Sequence, residues 1–260
     1  MTLDENPFAS PPNADSLTDG FERDRHRYRS LRGRATVASA LYAFNTLAYL
    51  GTFVAWLLLW QLLVQAQQGQ PVEEETLVQS DSRTQLVEML SIVVRLASFV
   101  ALLAWMYRAH ANLPAFGAQG LRYSPGWTIG AFFIPFLNLY KPFSVAKEIE
   151  QVSNPRSDGS GPDRWNQSRA SASLILWWIA WIGSAIFSRV ISADTSARLP
   201  ALITAAKMHM AAGLFSAGSA ALTIIVVQRI TRFQEARATA EVDGKRWRKR
   251  CLTRMALELL

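Results

Sequence analysis

The stretch RYSPGWTIGAFFIPFLNLYKP, from Arg122 to Pro142, decides the architecture of this chain. It is apolar enough to enter a bilayer, but as a helix residues 126–140 would rise only about 22 Å, against a hydrocarbon core of roughly 30 Å. Pro135 lies inside the stretch, where proline removes a backbone hydrogen bond and clashes with the preceding turn. We therefore predict a re-entrant or interfacial segment over residues 124–142, which does not cross the membrane.

The rest of the chain has the composition of a membrane protein. Of its 260 residues 50% are hydrophobic and 18% charged, and the hydrophobic residues are gathered into long runs. The first run, residues 36–64, has no charged residue and exceeds the 7 to 15 apolar residues of a signal peptide, so we interpret it as a retained anchor. Three more runs are long enough to span, at residues 86–107, 170–193 and 206–228. The sequence predicts an all-α membrane protein with four transmembrane helices plus the proline-broken segment.

The basic residues set the orientation. Residues 1–34 read as a disordered tail and a basic arm, and Lys and Arg flanking a span mark the cytoplasmic side. The loop after the first run is mainly acidic, as expected outside the cell. If residues 126–140 crossed the membrane, the basic residues that follow them and those of the tail, residues 231–260, would lie outside. The positive-inside rule therefore favours a membrane domain over residues 35–230 with both termini cytoplasmic.

The broken segment has its own start and bend signals. Ser124 and Pro125 fit an N-cap followed by proline at the first helical position. A half-helix is expected from Gly126 to the bend at Pro135. Gly126 and Gly130 have the G-x-x-x-G spacing that lets a neighbouring helix approach closely, which non-helical backbone at membrane depth requires.

Arg95 lies near the middle of the second span, where a charge costs about 2.5 to 3.5 kcal/mol. Glu88, two turns earlier, is its nearest acidic candidate in sequence for an intramembrane ion pair. In the alternative interpretation Arg95 extends to the outer surface. A further polar group marks the outer ends of the last two spans, as interfacial anchors or as a vestibule suited to an anionic ligand, and consists of Arg189, Asp194, Lys207 and His209.

Arg108 and Asn112 share a helix face at the cytoplasmic end of the second span. Because an amide inside a broken membrane segment needs a partner, Asn138 is the group expected to meet them. This arrangement would brace the re-entrant segment, or contact a ligand.

The composition also argues against several kinds of site. The single cysteine, Cys251, excludes an internal disulfide, and three scattered histidines do not form a metal motif, so we predict no metal and no cofactor. The sequence KRWRKR, residues 245–250, could attract nucleic acid. Beside a membrane span it more often binds anionic lipid, so we predict lipid and no nucleic acid.

Four motifs occur in order along the chain. They are W-x-Y-R-A-x-x-N-L at Trp105–Leu113, R-Y-S-P-G-W at Arg122–Trp127, I-P-x-x-N-L-x-x-P at Ile134–Pro142 and K-E-I at Lys147–Ile149. With these motifs the chain resembles the bacterial family catalogued as domain of unknown function 4328. The resemblance implies an integral protein of a bacterial plasma membrane and leaves activity open.

Three functions follow from these observations. The leading one is a membrane scaffold or sensor that binds lipids, a protein partner or a second copy. The alternative is a small transporter or channel-like protein that uses the broken segment and Arg95, since broken helices and buried charges mark transport sites. An intramembrane enzyme comes third, because the chain has no nucleophile-base or metal set, and we predict no enzyme. The candidate polar sites are Arg95, Glu88, Arg108, Asn112, Ser124, Pro125, Gly126, Trp127, Pro135, Asn138 and Pro142.

Overall fold

The computed structural model describes residues 28–71, 73–155, 169–191 and 198–258, and these ranges contain helices and no strand. Residues 1–27 of the predicted disordered tail and basic arm lie outside them, as do Asp194 and the side chains of Arg189 and of residues 241–260. The α-helices of the described ranges are α1 (Arg32–Gln67), α2 (Glu74–Ala111), α3 (Trp127–Phe133), α4 (Lys141–Ser153), α5 (Ala172–Ile191) and α6 (Leu199–Glu258). Short 3-10 turns occupy Leu113–Phe116 and Leu137–Leu139.

Three of these helices, α1, α2 and α6, are long and apolar enough to cross a membrane. Helix α5 has 20 residues and is also apolar, but its side chains are described only from Ala172 to Phe187. The all-helical prediction is thus confirmed. Helices α1, α2 and α6 extend beyond their predicted spans, because adding a residue to an existing helix costs far less than starting one, whereas α5 lies within its predicted span of residues 170–193. Most of the expected outer loop forms the first turns of α2, and the expected tail from residue 231 continues α6 to Glu258.

The long helices pack in the order α2, α1, α6, α5. Helix α1 lies along both α2 and α6, and α5 also lies along α6. Gly213 on α6 permits the close approach of α1, since a Cβ there would sit 3.4 Å from the carbonyl oxygen of Tyr49. The small residues Ala217 and Ala220, farther along the same helix, are also buried.

The broken segment bends at the predicted proline. Helix α3 ends at Phe133, Ile134 is extended, and Phe136 has a φ of 63° that non-glycine residues rarely adopt. The start differs from the prediction, because Gly126 occupies the N-cap position and the Ser124 side chain makes no capping hydrogen bond. The carbonyl of Ser124 instead accepts a hydrogen bond from the Trp127 amide at 3.0 Å.

The main core lies at one end of the bundle, where α4 and the residues before α1 pack against α2, α5 and α6. We call this the α4 end. Its largest wholly buried side chains include Leu31, Trp105, Leu113, Ile149 and Trp177. The four long helices are therefore held together most tightly at the α4 end, beside the motifs that the sequence singled out.

Candidate functional site

A buried amide pair joins four parts of the chain at the α4 end. Asn112 Nδ2 donates to Gln234 Oε1 at 3.0 Å and to the Arg29 carbonyl at 2.9 Å. Gln234 Nε2 donates to the Ala109 carbonyl and to Ser153 Oγ, both at 2.9 Å. Both amide side chains are fully buried. This geometry fixes the N-terminal arm, α2, α4 and α6 relative to one another.

Asn138 does not take part in this pair, contrary to prediction. Its side chain is half-buried and makes no hydrogen bond to any described residue, while Asn112 binds Gln234. The sequence could not reveal Gln234, because that residue lies 122 positions away on α6. Arg108, four residues before Asn112, has its Nε buried with no partner in the described ranges.

A second buried pair, missed from the sequence, joins α2 to α4. His110 Nε2 lies 3.1 Å from Glu148 Oε1, and both side chains are almost completely buried. The other carboxylate oxygen of Glu148 accepts the Arg122 amide at 2.8 Å. The sequence did contain a signal for this pair, since His110 lies within the motif W-x-Y-R-A-x-x-N-L and Glu148 is the acidic residue of K-E-I. These residues anchor the start of the broken segment.

Two further carboxylates hold α6 in place. Glu150 lies 3.1 Å from Arg229 Nε and accepts the Ser171 amide at 3.0 Å. Glu235 accepts hydrogen bonds from residues of the N-terminal arm and pairs with a guanidinium. Its partners are the Tyr28 hydroxyl at 2.8 Å, the Ser30 hydroxyl at 2.5 Å, the Leu31 amide at 3.1 Å and Arg32 Nε at 3.1 Å. Burial alone would raise the pKa of Glu235, but these hydrogen bonds and the Arg32 charge outweigh it and lower that pKa.

A groove of about 740 Å³ opens beside Arg229 at the α4 end. We call it the arginine groove, and it is lined by Asn154, Pro155, Ile224, Ile225, Gln228, Arg229, Arg232 and Phe233. Arg232 is exposed and forms no ion pair with any described residue, and Ile225 is 51% exposed. The groove therefore combines an available cation with an apolar wall.

A second cavity, of about 150 Å³, lies in the middle of the bundle. We call it the polar cavity, and its lining comes from α1, α2, α5 and α6: Tyr42, Asn45, Tyr49, Arg95, Phe99, Trp181, Ser184, Ser216, Ser219, Ala220 and Thr223. The guanidinium of Arg95 lies 5.6 Å from the centre of the Tyr49 ring, and its Nε donates to the Ser91 carbonyl at 3.2 Å.

The structure does not bring Arg95 and Glu88 together. Glu88 accepts a hydrogen bond from Trp56 Nε1 at 2.9 Å and lies 3.8 Å from His209 Nδ1. The ring of His209 stacks on Trp56 at 3.8 Å. The predicted outer polar group thus contributes a partner to Glu88, and Arg95 keeps a charge that no described carboxylate neutralises.

The broken segment touches the lining of the polar cavity through two rings, and one of them, Phe133, packs edge-on against Phe99 at 6.3 Å. Phe132 on α3 packs edge-on against Phe99 at 5.3 Å and Trp181 at 5.9 Å, and both of these line the cavity. The close helix approach predicted at Gly126 and Gly130 does not occur. A Cβ on Gly130 would meet no atom within 4 Å, and one on Gly126 would meet only Ser124 Oγ at 3.8 Å.

Lys141 ties the two ends of the broken segment together. Its Nζ lies 4.8 Å from the ring centre of Tyr123 and 5.2 Å from that of Trp127, at distances typical of cation–π contacts. Pro142 follows it in the first turn of α4 and is buried. The cation–π contacts of Lys141 therefore bring the end of the broken segment beside its start.

The described residues contain no group of three or more His, Cys, Asp or Glu placed to hold a metal ion. The family model of domain of unknown function 4328 (DUF4328) matches residues 68–232, from the turn before α2 into α6. No curated protein and no solved structure matches the chain. Because the match covers more than half of its length, this chain belongs to the DUF4328 family.

Proposed function

We propose that the chain is a non-enzymatic scaffold or sensor of a bacterial plasma membrane, which binds anionic lipid in the arginine groove. In this proposal α1, α2, α5 and α6 are four spans, both termini are cytoplasmic, and α3 with its bend re-enters from the cytoplasmic side. The pairwise packing of these four helices supports the span count. The basic flanks support the orientation.

The arginine groove is the observation that carries the lipid proposal. Its apolar wall includes Ile224 and Ile225, at the end of the predicted fourth span, and its cations are Arg229 and Arg232 in the following turns. In the proposed orientation this is the level of the cytoplasmic headgroups, where each basic residue contributes about 1 kcal/mol of attraction to anionic lipid. The groove is large enough for a headgroup and the first part of an acyl chain.

A lipid bound there would act on the buried pairs of the α4 end. Arg229 is bonded to Glu150, which also accepts the Ser171 amide just before α5. A lipid phosphate would compete with Glu150 for the guanidinium, because both are anionic acceptors. Helix α6 then continues without a break to Glu258, so a change at Arg229 lies on the element that carries the basic tail. If a protein partner or a second copy binds α6 and responds to this change, the protein acts as a sensor.

The test compares anionic with neutral lipid. The full chain in phosphatidylcholine nanodiscs should gain thermal stability when phosphatidylglycerol is added, and native mass spectra should retain bound phosphatidylglycerol. Arg232→Gln should lose both effects. The control Arg198→Gln changes an exposed arginine at the opposite end of α6 and should keep them. Equal lipid retention by the two variants would refute the proposal.

A small transporter is the second candidate, and the contact of Phe132 with both Phe99 and Trp181 favours it. A broken segment that closes on a polar cavity could gate a path. Proteoliposomes should then take up a small organic acid faster than empty liposomes, and Phe132→Ala should alter that rate. Uptake equal to that of empty liposomes would reject transport of that solute and leave the lipid proposal unaffected.

A further inference from the structure

The polar cavity contains a positive charge, placed near the middle of the predicted second span, that no described carboxylate neutralises. Its lining includes Arg95 and three serine hydroxyls, and none of its residues is acidic. Arg95 donates to a backbone carbonyl, and the nearest carboxylate along α2, Glu88, is engaged by Trp56. A charge at this depth costs about 2.5 to 3.5 kcal/mol, so an anion in the cavity would offset part of that cost.

Asn45 supplies an independent observation. Its side chain is 4% exposed and lines the cavity, and its Oδ1 is buried without a hydrogen-bond donor in the described ranges. An unsatisfied buried acceptor costs about 1 to 3 kcal/mol. The cavity therefore offers an acceptor that needs a donor, beside a guanidinium that is bonded to the Ser91 carbonyl and the Tyr49 side chain but to no described carboxylate. A bound carboxylate would serve both groups, because its oxygens accept from Arg95 while a water that it holds donates to Asn45 Oδ1.

The cavity opens at the surface of α2. Arg95 lines it and is also exposed, so the cavity reaches the surface of α2 at this side chain. The neighbouring exposed residues are apolar, with Ile92 at 51%, Leu96 at 61% and Val100 at 63%. In the proposed orientation this surface faces hydrocarbon. A ligand could enter from the bilayer without passing through water.

The volume limits what can enter. A cavity of about 150 Å³ is the size that holds benzene in an engineered protein, so it has room for a carboxyl group with its first methylenes. A longer hydrocarbon chain would have to remain outside, against the apolar face of α2. We infer that the polar cavity binds the carboxyl end of a monocarboxylic amphiphile such as a long-chain fatty acid, at a site separate from the arginine groove.

The experiment measures binding of radiolabelled palmitate to the full chain in phosphatidylcholine nanodiscs. We expect saturation near one palmitate per chain above the partition into empty nanodiscs. Arg95→Gln should weaken binding at least tenfold. The control Arg83→Gln alters another arginine of α2, which lies outside the cavity, and should leave binding unchanged. Because the nanodiscs contain no anionic phospholipid, the result does not depend on the arginine groove.

Two further comparisons keep the test decisive. If Arg95→Gln does not fold, Ser184→Val narrows the cavity from α5 and should also weaken palmitate binding, whereas Ser173→Val, outside the cavity, should not. Palmitate methyl ester should fail to compete, because it has neither charge nor proton. Equal competition by the ester, unchanged binding in the cavity variants or no saturable site would overturn the inference. Competition by butyrate at the same concentration as palmitate would also overturn it, by assigning the cavity to a water-soluble acid.

Discussion

Asn112 and Gln234 lie 122 positions apart in the sequence, yet Asn112 Nδ2 donates a 3.0 Å hydrogen bond to Gln234 Oε1 with both side chains wholly buried. Each amide also bonds to backbone of another element, Asn112 to the arm before α1 and Gln234 to α2. The relationship gives the asparagine of W-x-Y-R-A-x-x-N-L a structural role at the α4 end. The Asn112 side chain makes no hydrogen bond to the described residues of the broken segment.

Gln234→Ala should destabilise the folded state by about 1 to 3 kcal/mol, because it leaves the Asn112 amide buried without its acceptor. Thermal or denaturant unfolding in detergent micelles measures this change. Asn138→Ala is the matched control, since Asn138 makes no side-chain hydrogen bond to a described residue, and it should change stability by less than about 0.5 kcal/mol. Equal effects of the two substitutions would contradict the bracing role.

Acid should weaken the contact between α6 and the N-terminal arm. The folded-state pKa of Glu235 is below its ordinary value, so the unfolded chain binds more protons at mildly acidic pH and stability falls as the pH drops through that lowered pKa. The stabilisation is fully present at neutral pH. Unfolding measured between pH 6 and pH 3 should be more acid-sensitive in the wild type than in Glu235→Gln.

Glu75→Gln is the control for this titration, because Glu75 is exposed on the first turn of α2 and bonds only to Gln79 in the described ranges. It should retain the acid sensitivity of the wild type. The same sensitivity in Glu235→Gln would show that other groups cause it.

The close contact of α1 with α6 depends on Gly213. A Cβ at this position would lie 3.4 Å from the Tyr49 carbonyl oxygen and 3.5 Å from Phe53 Cβ, so Gly213→Leu should separate the helices and cost about 1 to 3 kcal/mol. Gly218→Leu is the control on the same helix, since its Cβ would meet no atom within 4 Å. Thermal unfolding should be lowered by the first change only. A loss of the same size at Gly218 would instead indicate an effect of glycine replacement itself.

The re-entrant orientation is tested by single-cysteine labelling. With Cys251 changed to Ser, cysteine is installed at Gln119 or at Ser157, on either side of the broken segment. A membrane-impermeant maleimide should label neither site in intact cells, because both flanks are cytoplasmic in the proposal, and both sites after the membrane is opened. Labelling at Ser157 alone in intact cells would show that the segment crosses.

The sequence by itself determined the helical class, the apolar runs and the bend at Pro135, because each depends on residues that are adjacent in the chain. A proline breaks a helix whatever surrounds it, and a long run without charges excludes a soluble surface helix. The pattern did not determine where α2 begins or α6 ends. Polar turns prolong a helix without any periodic or hydropathic signal, so most of the expected outer loop became part of α2.

Tertiary structure alone decided the partners of the polar residues. The spacing of Arg95 and Glu88 predicts an ion pair, but Glu88 instead contacts Trp56 and His209, from α1 and α6. Asn112 likewise bonds to Gln234 and not to Asn138. The cause is the same, since hydrogen bonding in a helix bundle depends on which helix faces meet. The polar cavity needs four helices to exist at all, with Asn45, Arg95, Ser184 and Ser216 contributed by one helix each. No local pattern encodes such a meeting, because it depends on the packing order of the whole chain.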